Sequence, residues 1–240
     1  MKTFGKIIFI FIFVAIIHVA NAQSGGPPML TDDPGIVDLH KWEINTSILS
    51  SVTTSHVELS IPFIDINYGV ARNLQLKVEA PYLVEINKNR LTGEPGQVVA
   101  GVKFRFLDEE KCFISAGTYP QLTLNAEKGF LLPLLLEKTI GKFLIGEDIG
   151  YFFGKNNDNN IQLGSLLGYQ VTPTFQAMAE YFIQKNAVWR SGTNGFINLG
   201  FRQTLNKTFT LLGSFGTQLS VAPGEEKQYF FSFLGIQSSF

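Results

Sequence analysis

From Trp42 onward the chain is a run of short segments, roughly ten residues each, in which apolar and polar residues alternate and turn-forming residues intervene. Leu74, Leu76, Val78, Ala80 and Tyr82 fall on one parity, and Gln75, Lys77 and Glu79 on the other. Val98, Ala100, Val102, Phe104 and Phe106 likewise oppose Gly101, Lys103 and Arg105; Ile197, Leu199, Phe201 and Leu205 oppose Asn198, Gly200 and Arg202. A period of two puts these sets on opposite faces of a strand. A soluble sandwich would bury the apolar face, whereas a membrane barrel would turn it to lipid and the charges inward. Alternation by itself fits both.

Composition and connection lengths separate them. Hydrophobic residues make up 45% of the chain, charged residues 16%, and there are 22 Phe. Beyond the N-terminus no apolar run approaches the ~20 residues of a membrane helix. A barrel reconciles these facts, because it exposes apolar side chains to lipid on alternate positions. The strands are expected at Trp42–Ser50, Val57–Tyr68, Leu74–Tyr82, Gln97–Leu107, Phe113–Leu124 and Phe130–Thr139, then at Phe143–Phe153, Asn160–Val171, Phe175–Gln184, Gly195–Leu205, Thr208–Val221 and Gln228–Phe240. Short turns alternate with longer, polar connections such as Val84–Gly96, Gly154–Asn159 and Lys185–Asn194. The pattern predicts an all-β fold: a transmembrane antiparallel up-and-down β-barrel of about twelve strands with both termini periplasmic.

Residues 1–22 have the form of a cleaved signal peptide. Lys2 and Lys6 precede an apolar stretch, Ile7 to Ile17, and Ala20-Asn21-Ala22 supplies a small-x-small site, so the mature chain would begin at Gln23. Residues 23–41 then form an N-terminal periplasmic or lumenal arm and 42–240 the barrel. Cys112 is the one cysteine, which excludes an internal disulfide. A net charge of −1 gives no basic surface for nucleic acid.

Three places disturb the alternation. Parity slips at Pro62, which predicts a bulge there, and Pro133 predicts a similar one. Glu147 and Asp148 are consecutive, so a bulge or an interfacial position is expected to keep a carboxylate out of the bilayer centre. Aromatic residues mark both strand ends, as interfacial girdles do. Trp42, Tyr68, Phe106, Phe113, Phe143, Tyr169, Phe175, Phe209 and Phe240 mark the periplasmic rim; Tyr82, Tyr119, Phe130, Phe153 and Tyr181 mark the other.

No catalytic, metal or cofactor motif is present. His56 lies near Ser55 and Ser60, but no acid is placed in sequence to orient it as a hydrolase would need. His40 follows Asp32, Asp33 and Asp38 without the spacing of a cation loop, which favours a solvated arm. The informative set is a lumenal charge ladder. A turn symmetric about Ala71 would set Asp65 opposite Lys77; Glu79 would approach Lys103 or Arg105; and Glu43, Glu180 and Arg202 would join from other strands. The mixed signs favour neither anions nor cations.

With these strands placed, the sequence resembles the outer-membrane barrel family named for transport in the meta pathway of phenol degradation. The matching stretches include Pro27-Pro28-Met29-Leu30-Thr31-Asp32-Asp33-Pro34-Gly35 with Trp42-Glu43, Asp65-Ile66-Asn67-Tyr68-Gly69 and Leu74 to Tyr82. Gly101 to Glu109, Tyr119-Pro120, Leu132-Pro133-Leu134 and Asn198-Leu199-Gly200 extend the match. A final Phe, here Phe240, is similar to the terminal residue of many bacterial outer-membrane proteins, where it acts as an assembly signal. The resemblance implies a non-enzymatic channel for small, hydrophobic or aromatic solutes, embedded in outer-membrane lipid and inserted by the barrel-assembly machinery. A structural or interaction barrel with a plugged lumen is the alternative, and an outer-membrane lipid-modifying enzyme a third.

Overall fold

Each alternating segment pairs with its sequence neighbours, because an isolated strand leaves half its backbone groups unsatisfied. The structure is a computed structural model that describes residues 27–87, 90–124, 129–154, 159–187 and 192–240. Residues 1–22, expected as a signal peptide, and residues 23–26 of the expected arm lie outside the described residues. Fourteen strand segments appear among them: β1 (Trp42–Val52), β2 (Val57–Ala71), β3 (Leu74–Asn87), β4 (Arg90–Pro95), β5 (Val99–Leu107), β6 (Ser115–Thr118) and β7 (Gln121–Thr123), followed by β8 (Phe130–Ile140), β9 (Phe143–Phe153), β10 (Asn160–Thr172), β11 (Phe175–Asn186), β12 (Thr193–Thr204), β13 (Phe209–Ser220) and β14 (Phe230–Ser239).

β6 and β7 are two halves of one wall strand, since both pair with β5 and with β8. β4 pairs with β3 alone, as a hairpin rising above the ring. The ring is therefore an antiparallel barrel of twelve strands, closed where β1 pairs with β14. The stretch expected as a polar loop, Val84–Gly96, is largely this hairpin. Its alternation is obscured by the exposed Glu85 and Glu94 and by Gly93, which lies against the Tyr82 ring.

Burial runs opposite to that of a soluble sandwich. Lys77 is 5% exposed while Leu76 beside it is 45% exposed, and the same inversion holds around the ring. Asn45, Asp65, Lys103, Glu180, Asn198 and Arg202 are buried inside; Ile66, Val102, Leu134, Ile149, Leu199 and Leu234 are exposed outside. A continuous apolar outer band over a polar interior needs lipid around it.

The expected slip at Pro62 is present: pairing shifts between Ser60 and Phe63 on β2 and between Ser47 and Leu49 on β1. Pro133 behaves differently, because β8 itself runs unbroken and the neighbouring wall is interrupted between β6 and β7. The Thr118 hydroxyl donates to the Pro133 carbonyl at 2.6 Å, so the edge of Pro133 that lacks an N–H faces the existing gap. The same gap turns Tyr119 inward. It is fully buried between Lys77 and Lys103, with its ring 5.1 and 5.9 Å from the two ammonium groups, and is not a rim residue as expected. Glu147 and Asp148 also depart from expectation. The register is continuous through both, so Asp148 points inward and Glu147 outward, where the Ser165 hydroxyl donates to it at 2.7 Å. Among the rim aromatics, Trp42 meets Tyr68 at 4.5 Å and Phe143 meets Tyr169 at 5.0 Å with tilted rings, while Phe130 meets Phe153 at 5.9 Å at the opposite end.

Candidate functional site

The barrel's polar interior is filled in its middle by the chain's own N-terminal arm. The arm crosses from the β12–β13 side to the β3–β5 side and then descends to β1. The Leu39 backbone bridges Gly69 beside the β2–β3 turn, and the His40 amide donates to the Gly69 carbonyl at 2.8 Å. His40 has φ 61°, the left-handed conformation that lets the arm turn into the wall. The expectation of a solvated arm for Asp32 and Asp33 is corrected here, because both are largely buried against lysines of the wall.

The β2, β3 and β5 wall carries most of the charge. Lys77 Nζ lies 2.8 Å from Glu79, 3.6 Å from Asp65 and 4.0 Å from Asp32. Lys103 Nζ lies 2.8 Å from Asp32 and 3.8 Å from Asp33. Amide side chains extend the network: Asn45 and Asn67 donate to Asp65 at 3.0 and 2.9 Å, and Gln75 donates to Asn67 at 2.6 Å. The Val37 amide of the arm then donates to Gln75 at 2.8 Å. Every buried charge here meets an opposite charge or a donor, which low polarity demands.

The register differs from the expected one. Asp65 sits opposite Glu79, and Asn67 opposite Lys77, because the hairpin closes at Arg72–Asn73 instead of about Ala71 and Val70 is an extra residue bulged out before that turn. Lys77 reaches Asp65 diagonally instead. Glu79 turns to Lys77 on its own strand and not to Lys103 or Arg105. Arg105 lies away from the network, paired with Asp108 at 3.1 Å near the short-turn end of the barrel. Glu43 accepts a hydrogen bond from Gln237 across the β1–β14 seam.

Glu180 and Arg202 face the lumen but serve the arm rather than the ladder. Glu180 accepts from the Leu30 and Thr31 amides, each at 2.8 Å, and from Asn198 at 2.9 Å. Arg202 donates to the Pro27 carbonyl through Nε at 3.0 Å and Nη2 at 2.7 Å. Ser214 donates to the Pro28 carbonyl at 2.8 Å. Wall glycines leave the arm its space. A Cβ on Gly164 would lie 2.5 Å from Thr31 Oγ1, and one on Gly200 would lie 2.4 Å from Met29 Sδ. Sequence reasoning passed over the arm's main chain and these glycines. Their signal was the placement of Gly on the inward parity of β10 and β12.

The arm leaves space on both sides. Towards the short-turn end is a small polar cavity of about 110 Å³, bordered by Glu43, Asn67, Lys103 and Arg202. Towards the long-loop end is a vestibule of about 540 Å³ whose floor includes Pro28, Met29 and Leu30. Phe63, Phe182, Phe196, Phe231 and Phe233 give it an aromatic wall, with Gln121, Asp148 and Gln162 also lining it. Apolar enclosure with a few converging polar groups is the usual form of a small-molecule site.

At the rim of the long-loop end, folding supplies the acid absent from the sequence near His56. Ser55 Oγ lies 2.8 Å from His56 Nδ1 and donates to Glu226 at 2.7 Å. Hydrogen bonds from Thr54 and Ser55 hold the Glu226 carboxyl down at about 2. The carboxylate is 3.6 Å from the same Nδ1 that faces Ser55. A hydrolytic relay needs the acid on one ring nitrogen and the hydroxyl on the other, so this group pins two loops together. Ser60 lies apart from it, lining the vestibule. Cys112 is exposed in the turn after β5.

Solved outer-membrane barrels share the fold. The chain is similar to the KdgM porin, with a TM-score of 0.53 and 12% identity over 82% of this chain and 99% of that one. A second structure of the KdgM porin, in complex with disordered oligogalacturonate, gives 0.54 and 12% over the same 82% and 99%. The NanC porin gives 0.56 and 9%, covering 82% of this chain and 98% of that one. No family model matches the sequence, and no curated protein matches it.

Proposed function

We propose that the chain is an outer-membrane channel for small hydrophobic or aromatic solutes, constricted midway by its own arm. The observation that carries this is the aromatic-walled vestibule of about 540 Å³, set directly above the arm inside a lipid-facing barrel. The porin likeness supports a channel at the level of fold, and oligogalacturonate belongs to the KdgM porin rather than to this chain. The resemblance to the phenol-pathway family supports aromatic solutes. In this reading residues 1–22 direct export, the short turns and the arm's root at His40 face the periplasm, and the long loops face outside. Phe240 serves recognition by the assembly machinery, and Glu43, Asp65, Lys77, Glu79, Lys103 and Arg202 line the aqueous path around the arm. The geometry at Ser55, His56 and Glu226 gives the lipid-modifying alternative no support.

A second reading, a structural barrel kept shut, draws on the same arm, which is bonded to side chains on β3, β5, β11, β12 and β13. Planar-bilayer recording of the refolded protein separates the two. Discrete conductance steps, with larger steps in Glu180→Gln where the arm's grip is loosened, are expected of a channel. Silence from both proteins would overturn the channel and establish the shut barrel.

A further inference from the structure

The charge of the vestibule points to the kind of solute it takes. Its lining holds the carboxylates of Asp32, Glu58, Glu79 and Asp148 against one ammonium group, that of Lys77. Two of those carboxylates are already matched: Asp32 by Lys103 at 2.8 Å and Glu79 by Lys77 at 2.8 Å. Glu58 and Asp148 form no ion pair among the described residues. Asp148 is 1% exposed and accepts from Gln162 at 2.9 Å through Oδ2, while its Oδ1 has no hydrogen-bond partner among the described residues. A carboxylate oxygen buried in this way calls for a donor.

The rings of the cavity suit an apolar cation. Phe182 and Phe196 have ring centroids 6.5 Å apart, and Phe196 meets Phe231 edge-on at 5.9 Å. Aromatic faces attract positive charge and apolar bodies alike, and repel anions. Rings and unpaired carboxylates lie side by side, since Asp148 and Phe182 both pair with Gly164, and Glu58 and Phe231 both pair with Ser51. A carboxylated solute would bring a further negative charge into a space that already holds a surplus, which disfavours it.

We propose that the vestibule receives a small organic cation, an ammonium group carried on an aromatic or alkyl body. The body lies against Phe182, Phe196 and Phe231, and the ammonium group is drawn to Asp148 on β9 or to Glu58 on β2. This inference rests on the channel reading above and adds the charge class to it.

Benzylammonium, benzyl alcohol and benzoate carry the same ring and differ in the charge of the polar end. Each is titrated into bilayer recordings of the intact protein, with solute flux into proteoliposomes measured in parallel. Benzylammonium is expected to interrupt the current at a concentration about tenfold lower than benzyl alcohol, with benzoate weaker than both. Glu58→Gln, at a half-buried position, should raise the benzylammonium concentration needed severalfold and leave benzyl alcohol unchanged. Asp148→Asn, checked for folding by heat-modifiable migration, should do the same. Benzoate acting as strongly as benzylammonium would overturn the cation inference while leaving the channel standing. So would indifference of benzylammonium to both substitutions. If none of the three solutes alters the current or crosses, the channel reading fails and takes the inference with it.

Discussion

The wall made by β2, β3 and β5 and the wall made by β11, β12 and β13 face the same arm and hold it by different means. On the first, side chains meet side chains: Lys77 with Asp65 and Glu79, and Lys103 with Asp32. On the second, side chains meet the arm's main chain, as Glu180 does at two amides and Arg202 at one carbonyl. Without the arm the first wall would keep the Lys77 pairs with Asp65 and Glu79, while Lys103 would lose Asp32 and Asp33. The second would leave Glu180 with Asn198 as its remaining described donor. A barrel can therefore carry one wall that is paired in part within itself and another that is completed by the segment it binds.

The sharpest way to break this contrast is on the charged wall. Lys77→Met should leave Asp65 buried without its cation and destabilise the barrel by about 3–5 kcal/mol. The double change with Asp65→Asn should recover part of the loss, read as a coupling energy in urea unfolding followed by heat-modifiable migration. Additive losses would mean that the diagonal contact at 3.6 Å is not an interaction.

Next comes the wall that grips the arm. Glu180→Ala removes the acceptor for the Leu30 and Thr31 amides, and each buried group stranded this way costs about 1–3 kcal/mol. The arm should relieve that cost by leaving the lumen, so protease cleavage between residues 27 and 37 should become fast while the barrel stays folded. An arm as resistant as in the unaltered protein would show that Glu180 is dispensable to it. Gly164→Ala probes the same wall by volume. Its Cβ would press on Thr31, and overpacking of that kind costs about 1–3 kcal/mol. Thr31→Ala in the same chain should restore most of the stability, and failure to rescue would place the strain elsewhere.

The smallest effect is expected at the seam that joins the two walls. The Trp42 amide donates to the Phe240 carbonyl at 2.8 Å and the Phe240 amide to the Trp42 carbonyl at 3.0 Å. Deleting Phe240 removes two main-chain bonds, each a net contribution of about 0.5–1.5 kcal/mol. The folded fraction on a gel should fall while the amount exported stays similar. Unchanged folding kinetics would show that neither bond matters to closure.

What the sequence determined by itself is the set of features governed by one strand at a time. The period of two fixed which residues share a face, and the turn spacing fixed twelve strands and an even closure. Lys77, Asp65 and Lys103 were recognisable as inward because their own neighbours are apolar. Only the tertiary structure decided what those residues touch. A turn closed at Arg72–Asn73 and an extra residue at Val70 together set Lys77 two positions along its partner strand from the place expected, and parity survives a shift of two, so the sequence pattern does not register it. The break after Thr118 sends Tyr119 to the interior through a gap that belongs to two adjacent wall segments at once. The arm was hidden for a third reason. It has no strand or helix period, and it is held largely through its main chain, which every residue possesses. Its place in the lumen emerges only when walls distant in sequence close into one ring and bring Glu180, Ser214 and Arg202 around it.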